Sequence, residues 1–572
     1  MRSTLLSVLF YGATALAIST ADSYAAKEWP IAKAGLLANI GPFGSKSSGA
    51  KAGLVIASPS TVNPNYLFTW TRDSALVFKT IIDQFTSGQD RTLRPLIDFY
   101  LTAQAKLQQV PNPSGNVTTG GIAEPKFNID GTAFTEPWGR PQRDGPALRA
   151  TAIITYANWL LDNSNKTFVT STLWPVIKLD LDYIMNRWNQ STFDLWEEVS
   201  SSSFFTTAVQ HRALRQGSIL AKRIGQTSAV AGYDTQAGNL VCFLQSYWNP
   251  SEGFITSNTG GGRSGKDANS ALASIHTFDP TAGCDATTFQ PCSDKALSSL
   301  KVYVDSFRSI YGINSGIAAN AAVATGRYPE DVYFNGNPWY LTTAGVAEQL
   351  YDSLIVWERQ GSLTITNTSL PFFKQFAPSV KTGTYGLISP TFYVLTSAIK
   401  NFADGFLAIN AKYTPTNGSL SEQFDRNIGM PLSAQDLTWS YASALTVINA
   451  RNGITPASWG ARGLTVPSGA CQSNIGPTLQ VAFNVNATTQ LGENIYITGN
   501  LDVLQNWSPD NALLLNATNY PIWSIALTLP ADTVFEYKYI RKFNGVVTWE
   551  SDPNNAQTTP GSGPYVINDT WR

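Results

Sequence analysis

Two carboxylates stand side by side after a tryptophan in Asp194-Leu195-Trp196-Glu197-Glu198, within a chain of which only 14% is charged. Carboxyl pairs suit the hydrolysis of an acetal, which needs one carboxyl protonated near neutrality and another ionised. An apolar wall beside a charged group separates two such pKa values, and Trp196 could supply it. Alone, the pentapeptide reads as a solvated acidic face beside a core tryptophan. The rest of the chain decides otherwise.

Glu422, in Ser419-Leu420-Ser421-Glu422-Gln423, follows the turn-forming run Pro415-Thr416-Asn417-Gly418 and is expected on a loop. Alone it would be a surface or helix-capping glutamate. The segment Tyr66-Leu67-Phe68-Thr69-Trp70-Thr71-Arg72-Asp73 sets three aromatics beside an adjacent guanidinium and carboxylate. That is the composition of a sugar subsite, in which rings cover apolar ring faces while Arg and Asp hold hydroxyls. A structural ion pair between Arg72 and Asp73 is the alternative. Asn128 to Ala150, with Phe134-Thr135-Glu136-Pro137-Trp138, and Gly326 to Trp339 carry Trp and Arg without any periodicity, as shaped loops do.

These residues need a frame. From about Asp22 to Asn449 the apolar positions recur at helical spacing, as in Phe78, Ile81, Ile82, Phe85, in Leu148, Ala152, Tyr156, Trp159, Leu160 and in Leu297, Leu300, Val304, Phe307, Tyr311. Long irregular stretches separate them at 111–147, 249–292 and 326–338. Past residue 475 the period becomes two, in Leu479, Val481, Phe483, Val485, then Trp523, Ile525, Leu527, Leu529, then Phe535, Tyr537, Tyr539. About 100 residues of short strands fit a small all-β sandwich or open barrel. The predicted organisation is a leader at 1–18, a helical domain at 19–450, a linker at 451–475 and a strand domain at 476–572.

Composition narrows the class. A formal charge of −1 gives no basic field for nucleic acid, although 12% of the residues are aromatic. The apolar run Leu5 to Ala17 followed by small residues reads as a cleavable secretory leader, which places the mature chain outside the cell. No later run reaches the roughly 18 apolar residues of a membrane span. Cys242, Cys284, Cys292 and Cys471 lack metal-site spacing, allow three pairings and suit disulfides. Nine N-x-S/T sequons, beginning at Asn116, Asn165, Asn189, Asn367, Asn417, Asn486, Asn506, Asn516 and Asn568, agree with secretion. His211 and His276 form no nucleophilic or metal constellation and read as structural.

Taken together, the motifs WTRD, FTEPWGRPQRDGPALRAT, DLWEEV, GRYPED, NGNPW and GSLSEQFD resemble the fungal glucoamylases of glycoside hydrolase family 15 over nearly the whole chain. The tail, with GENIYITGN, FEYKYIR and VTWESDPN, resembles the starch-binding modules of carbohydrate-binding family 20. The resemblance implies a multidomain protein, with an all-α (α/α)6 barrel followed by the starch-binding β domain. It implies an exo-acting, inverting hydrolase that releases β-D-glucose from non-reducing ends of starch and maltooligosaccharides, without cofactor or metal and as a monomer.

By the same resemblance Glu197 is the general acid and Glu422 the general base. Arg72 and Asp73 hold the terminal glucose, Arg327 and Glu198 bind hydroxyls around the cleavage point, and Asp331 belongs to the polar network nearby. Tyr66, Trp70, Trp138, Trp196, Tyr328, Tyr333 and Trp339 line the pocket. The implied disulfides are Cys242 with Cys471 and Cys284 with Cys292. In the tail Trp507 and Trp549 stack on glucose rings, helped by Glu536, Lys538 and Asn554. A second sugar site matches Leu491, Tyr520 and Trp523, weakened because Leu491 offers no flat face. Competing readings are an exo-α-glucosidase of another linkage preference and a non-catalytic starch-binding protein.

Overall fold

The computed structural model describes residues 2–467, 478–531 and 533–572. They form two compact units, one of helices within residues 1–470 and one of strands that takes 471–572 together with 189–192 and 199–202. Cys471, and with it the pairing expected for Cys242, lies outside the described residues.

Twelve helices of eight residues or more build the first unit: α1 (Arg2–Ala38), α2 (Thr71–Thr86), α3 (Arg94–Leu107), α4 (Asp144–Asp162), α5 (Trp174–Arg187), α6 (Phe204–Ile224), α7 (Val230–Gln245), α8 (Asn269–His276), α9 (Asp294–Ser306), α10 (Tyr340–Gln360), α11 (Pro390–Tyr413) and α12 (Thr438–Arg451). The even-numbered helices pack each on the next, and α12 returns to α2, so six of them close a ring. Odd-numbered helices lie outside, with α1 against both α11 and α12. This is the (α/α)6 barrel.

Burial explains the two layers. Thirteen of the 16 residues of α2 and 16 of the 21 of α10 are buried, as an element surrounded by neighbours requires. By contrast, α11 exposes one face, with Tyr393 and Val394 open to solvent. Helix α8 falls inside the stretch 249–292 that reads as irregular in sequence. Its first seven residues are all buried, so it shows no polar face and hence no amphipathic period. The periodic run from Leu297 ends earlier than expected, because α9 stops at Ser306 and leaves Phe307 and Tyr311 beyond it.

Residues 451–467, expected as linker, are fastened to the helical unit. Buried Trp459 donates its indole N–H to Thr277 O at 2.9 Å, and the backbone N–H groups of Trp459, Gly460 and Ala461 all donate to Asp279 Oδ2. Cys284 and Cys292 form the expected disulfide. Among the short antiparallel pairs of this unit are β1 (Thr69–Trp70) with β2 (Lys126–Phe127), and β3 (Gln423–Phe424) with β4 (Pro431–Leu432).

The second unit contains β5 (Thr478–Asn486), β6 (Asn494–Gly499), β7 (Leu513–Leu514), β8 (Asn516–Asn519), β9 (Ile522–Pro530), β10 (Val534–Phe543), β11 (Val546–Trp549), β12 (Asn555–Thr558) and β13 (Tyr565–Thr570). One sheet runs β8-β9-β5-β13, and the other runs β7-β6-β10-β11 with β12 also on β10. Alternate residues Val481, Phe483, Val485 and Phe535, Tyr537, Tyr539 face one shared core.

Candidate active site

Every residue of the helical unit singled out by motif lies at, or in the loop before, the N-terminus of an inner helix. Arg72 and Asp73 open α2, the loop carrying Glu197 and Glu198 precedes α6, residues 327–339 precede α10, and Glu422 precedes α12. Helix N-termini present unsatisfied N–H groups and a positive dipole end, which favours carboxylates gathered there.

Glu197 is held from three sides. Trp70 Nε1 donates to Oε1 at 2.7 Å, Trp138 Nε1 to Oε2 at 2.8 Å, and Arg72 Nη2 reaches Oε1 at 3.1 Å. Its backbone lies in the left-handed region at φ 66°, costly for a side chain with a Cβ. Behind the two indoles sits Lys126, register partner of Trp70 across β1 and β2. Its ammonium is 3.4 Å from the Trp138 ring centre and within 4.6 Å of those of Phe68, Trp70 and Phe134. Burial pushes this lysine down to about 8, and the ring faces offer partial compensation.

Glu422 sits just before β3, on a loop as expected, and is 1% exposed, which excludes the surface position that the motif alone would suggest. Ser433 Oγ and Gln423 Nε2 both donate to its Oε2, the latter at 3.1 Å. Burial pushes the Glu422 carboxyl up to about 7, against donors from Ser433 and Tyr66 and the positive charge of Arg327. Tyr66 joins the two sides of the site. Its hydroxyl bonds that of Tyr333 at 2.9 Å, and its ring meets the edge of Trp70 at 5.4 Å.

The remaining expected residues form two further clusters. Arg72 is fixed by Gln142 Oε1 at 2.8 Å and Asp144 Oδ2 at 3.1 Å, while Asp73 lies 3.7 Å from its Nε. The ion-pair reading of Arg72 and Asp73 is thus secondary, since Asp144 is the closer partner. Burial raises Asp73 to about 6 against the pull of Arg72. On the other side Arg327 holds Asp331 through two bonds, at 2.6 and 2.9 Å, and reaches Glu198 Oε1 at 2.8 Å. Tyr328 donates its hydroxyl to Glu198 Oε2. The Arg327 guanidinium lies over the rings of Trp196, Tyr328, Tyr333 and Trp339 at 5.0 to 5.5 Å. Trp339 is buried, and its backbone bridges to Gln423.

Sequence reasoning missed several participants. Asp267 accepts the Trp196 indole N–H at 2.9 Å, and its own burial raises it to about 7. Arg263 pairs with Glu198 and stacks 3.8 Å from the Tyr328 ring centre. Trp439 stacks on Trp196, with ring centres 6.4 Å apart. Ser433 and Lys126 complete the set. None of these carries a local pattern; each is recognisable only through a partner distant in the chain. Gln142 and Asp144 lie within the motif FTEPWGRPQRDGPALRAT, and the fold adds that they hold Arg72. No group of three or more His, Cys, Asp or Glu among the described residues could hold a metal.

In the strand unit, Trp549 is partly exposed on β11, opposite Ile540. Lys538 donates to Glu550 O at 3.2 Å and Asp552 Oδ1 at 2.6 Å, and Asn554 donates to Glu536 Oε2 at 2.9 Å, which places this group on one hairpin region. Trp507 ends the turn Asp502–Trp507, half-buried. Tyr520 is exposed, bonded by its hydroxyl to Thr489, and Leu491 is fully exposed. Trp523 departs from expectation. It is 4% exposed, packs in the core and donates its indole N–H to Ala487 O at 3.1 Å, so no ring face is free for a sugar.

With this geometry in place, the comparisons with known proteins agree on both units. The model described as Glycosyl hydrolases family 15 matches residues 30–449, and that described as Starch binding domain matches 478–568. Glucoamylase-1 of Schizophyllum commune is 61% identical over 558 residues, covering 97% of this chain and 96% of that protein. Glucoamylase of Neurospora crassa is 48% identical over 593 residues, covering 96% and 94%. Among solved structures, the Glycoside Hydrolase Family 15 Glucoamylase from Hypocrea jecorina superposes with a TM-score of 0.77 at 49% identity, covering 96% of this chain and 100% of that one.

Proposed function

The chain belongs to glycosyl hydrolase family 15, and from that membership we propose that Glu197 is the general acid and Glu422 the general base of its reaction. The reaction is the exo-acting, inverting release of glucose from α-glucans, and the second unit is a starch-binding domain. The observation that supports the assignment best is that both motif carboxyls stand in loops before inner helices with dedicated donors, Glu197 held by the Trp70 and Trp138 indoles at 2.7 and 2.8 Å and Glu422 by Ser433 and Gln423.

In this reading, water enters between Glu422 and the sugar and attacks the anomeric carbon as Glu422 accepts its proton. On the opposite face Glu197 gives a proton to the glycosidic oxygen, and the Trp70 and Trp138 indoles and Arg72 stabilise the carboxylate that remains. The products are β-D-glucose and a shortened chain. Arg72 and Asp73 hold the terminal glucose, and Arg327 with Glu198 bind hydroxyls at the cleavage point. A polar pocket that leaves its own groups unpaired when a hydroxyl is missing rejects interior chain segments.

The starting substrate is starch, which Trp549, Trp507, Lys538, Glu536 and Asn554 bring to the enzyme. Secretion after removal of residues 1–18, with action as a monomer, belongs to the same reading. Proton NMR of fresh products from a maltooligosaccharide tests it. β-Glucose is expected as the sole initial monosaccharide, and its loss is expected in Glu197→Gln and Glu422→Gln. Initial α-glucose would overturn the roles of both residues.

A further inference from the structure

At the end of the inner ring remote from Glu197 lies a second cavity, of about 420 Å³, a size typical of small-molecule sites, which run from about 300 to 1,000 Å³. The last turns of α2, α4, α8 and α12 contribute to it through Thr86, Asp162, His276 and Asn449. Where helix N-termini meet at the catalytic pocket, helix C-termini meet here. Each carries a negative partial charge of about half an electron, which favours a cation.

The charged side chains deepen that bias. Lys79 and Asp83 of α2, Asp162 of α4, Arg212 of α6, His276 of α8, and Glu348 and Asp352 of α10 face the cavity. Lys79 pairs with Asp83, and Asp162 with Arg223 at 2.5 Å. Arg212 bonds two neutral acceptors, His276 O at 2.5 Å and Gln216 Oε1 at 3.4 Å, and so keeps its positive charge beside the cavity. Glu348 and Asp352 remain, one turn apart on one helix face.

Among the described residues Glu348 accepts only from the Thr446 hydroxyl, at 2.5 Å. Asp352 is 3% exposed and has neither a hydrogen bond nor an ion pair among the described residues, with Arg359 acting on it only through its field. Two more polar atoms of the lining, His276 Nε2 and Thr151 Oγ1, are also buried without partners. Burial raises both carboxyls, Glu348 to about 7 and Asp352 well above its usual range, the latter also through the Glu348 charge.

We propose that this cavity binds a small organic ammonium ion, whose N–H groups bridge Glu348 and Asp352 while its carbon chain lies against Trp159 and Phe278. The cavity exceeds the size of a bare metal ion, and no three metal-ligating side chains among the described residues converge on it. Because the ligand replaces protons on the two carboxyls, its binding releases protons.

The test is isothermal titration calorimetry of the full chain with 1,4-diaminobutane at pH 7, in two buffers of different ionisation heat, with calcium chloride in parallel. Proton release on diamine binding is expected. At least tenfold weaker binding is expected in the Glu348→Gln, Asp352→Asn double variant, with maltose hydrolysis in the absence of diamine unchanged. That variant removes two uncompensated buried carboxyls, so its thermal midpoint is expected to equal or exceed that of the parent. Absence of binding, binding that the double variant retains, or proton release driven by calcium and not by the diamine would each overturn the proposal.

Discussion

Trp138 donates its indole N–H to Glu197 Oε2 at 2.8 Å, across 59 residues of chain and from a loop without secondary structure of its own. Trp70 serves the other oxygen, so each lone-pair side of the acid has a dedicated neutral donor. A neutral donor steadies the carboxylate as it forms after proton transfer, which is a transition-state contribution. Trp138→Phe keeps an aromatic ring, smaller than the indole, and deletes the N–H. Its kcat is expected to fall about 10- to 100-fold with little change in KM, from the roughly 1.5–3 kcal/mol of a hydrogen bond to a charged group. Steady-state kinetics on maltose check this, and a loss confined to KM would refute it.

Ser433 donates to the carboxyl of Glu422 and so favours its ionised form. Removing that donor in Ser433→Ala is expected to raise the Glu422 pKa and move the acid limb of kcat/KM upward by roughly one pH unit. A pH profile of the variant with its acid limb unmoved would show that Ser433 does not act on the base.

Burial of Glu422 has a stability consequence whose sign is fixed by linkage. Its folded pKa of about 7 lies above the unfolded value of 4.5, so the unfolded chain loses this proton first. Stability contributed at low pH is therefore lost as pH rises from about 4.5 through 7. Glu422→Gln, inactive, is expected to match the parent at pH 4 and exceed it above pH 7, on the order of 3 kcal/mol for the helical unit. Urea unfolding at pH 4, 6 and 8 measures it; a pH-independent difference would contradict the account.

Two tryptophans of the strand unit are expected to respond differently. Trp549→Ala removes a partly exposed ring and is expected to lower adsorption to starch granules, leaving maltose turnover unchanged. Trp523→Ala removes a core ring, at a cost of about 3–5 kcal/mol, and is expected to unfold the unit before affecting any sugar contact. Circular dichroism of the two variants separates the cases, and an intact fold in Trp523→Ala would reopen its assignment to a sugar site.

Much of this architecture was legible in the sequence. The runs through Phe78 and Leu148 are the buried helices α2 and α4, and the alternation from Leu479 to Tyr539 gives three of the long strands. The motif residues around Glu197, Arg327 and Glu422 do converge through the bonds of Trp70, Arg72 and Tyr66. Failures have identifiable causes. Helix α8 is buried all round and too short to show a period. Asp267, Arg263 and Ser433 owe their roles to partners that only the fold supplies. Trp523 shows that strand alternation groups side chains by face without telling which face is core.

The closure of the inner ring sets a timetable for the living enzyme. Helix α12 packs on α2, and Asn39 Nδ2 bonds Thr438 Oγ1 at 2.8 Å, so the first part of the barrel is completed by its last. During synthesis Glu422 follows Arg72 by about 350 residues, or roughly 20 to 70 s at 5–20 residues per second. From the time residue 197 is made until residue 422 follows, the chain carries Glu197 without Glu422, and α12 has still to close on α2. The proposed catalytic pair is therefore complete only once α12 has been made, while the strand unit is still to be synthesised.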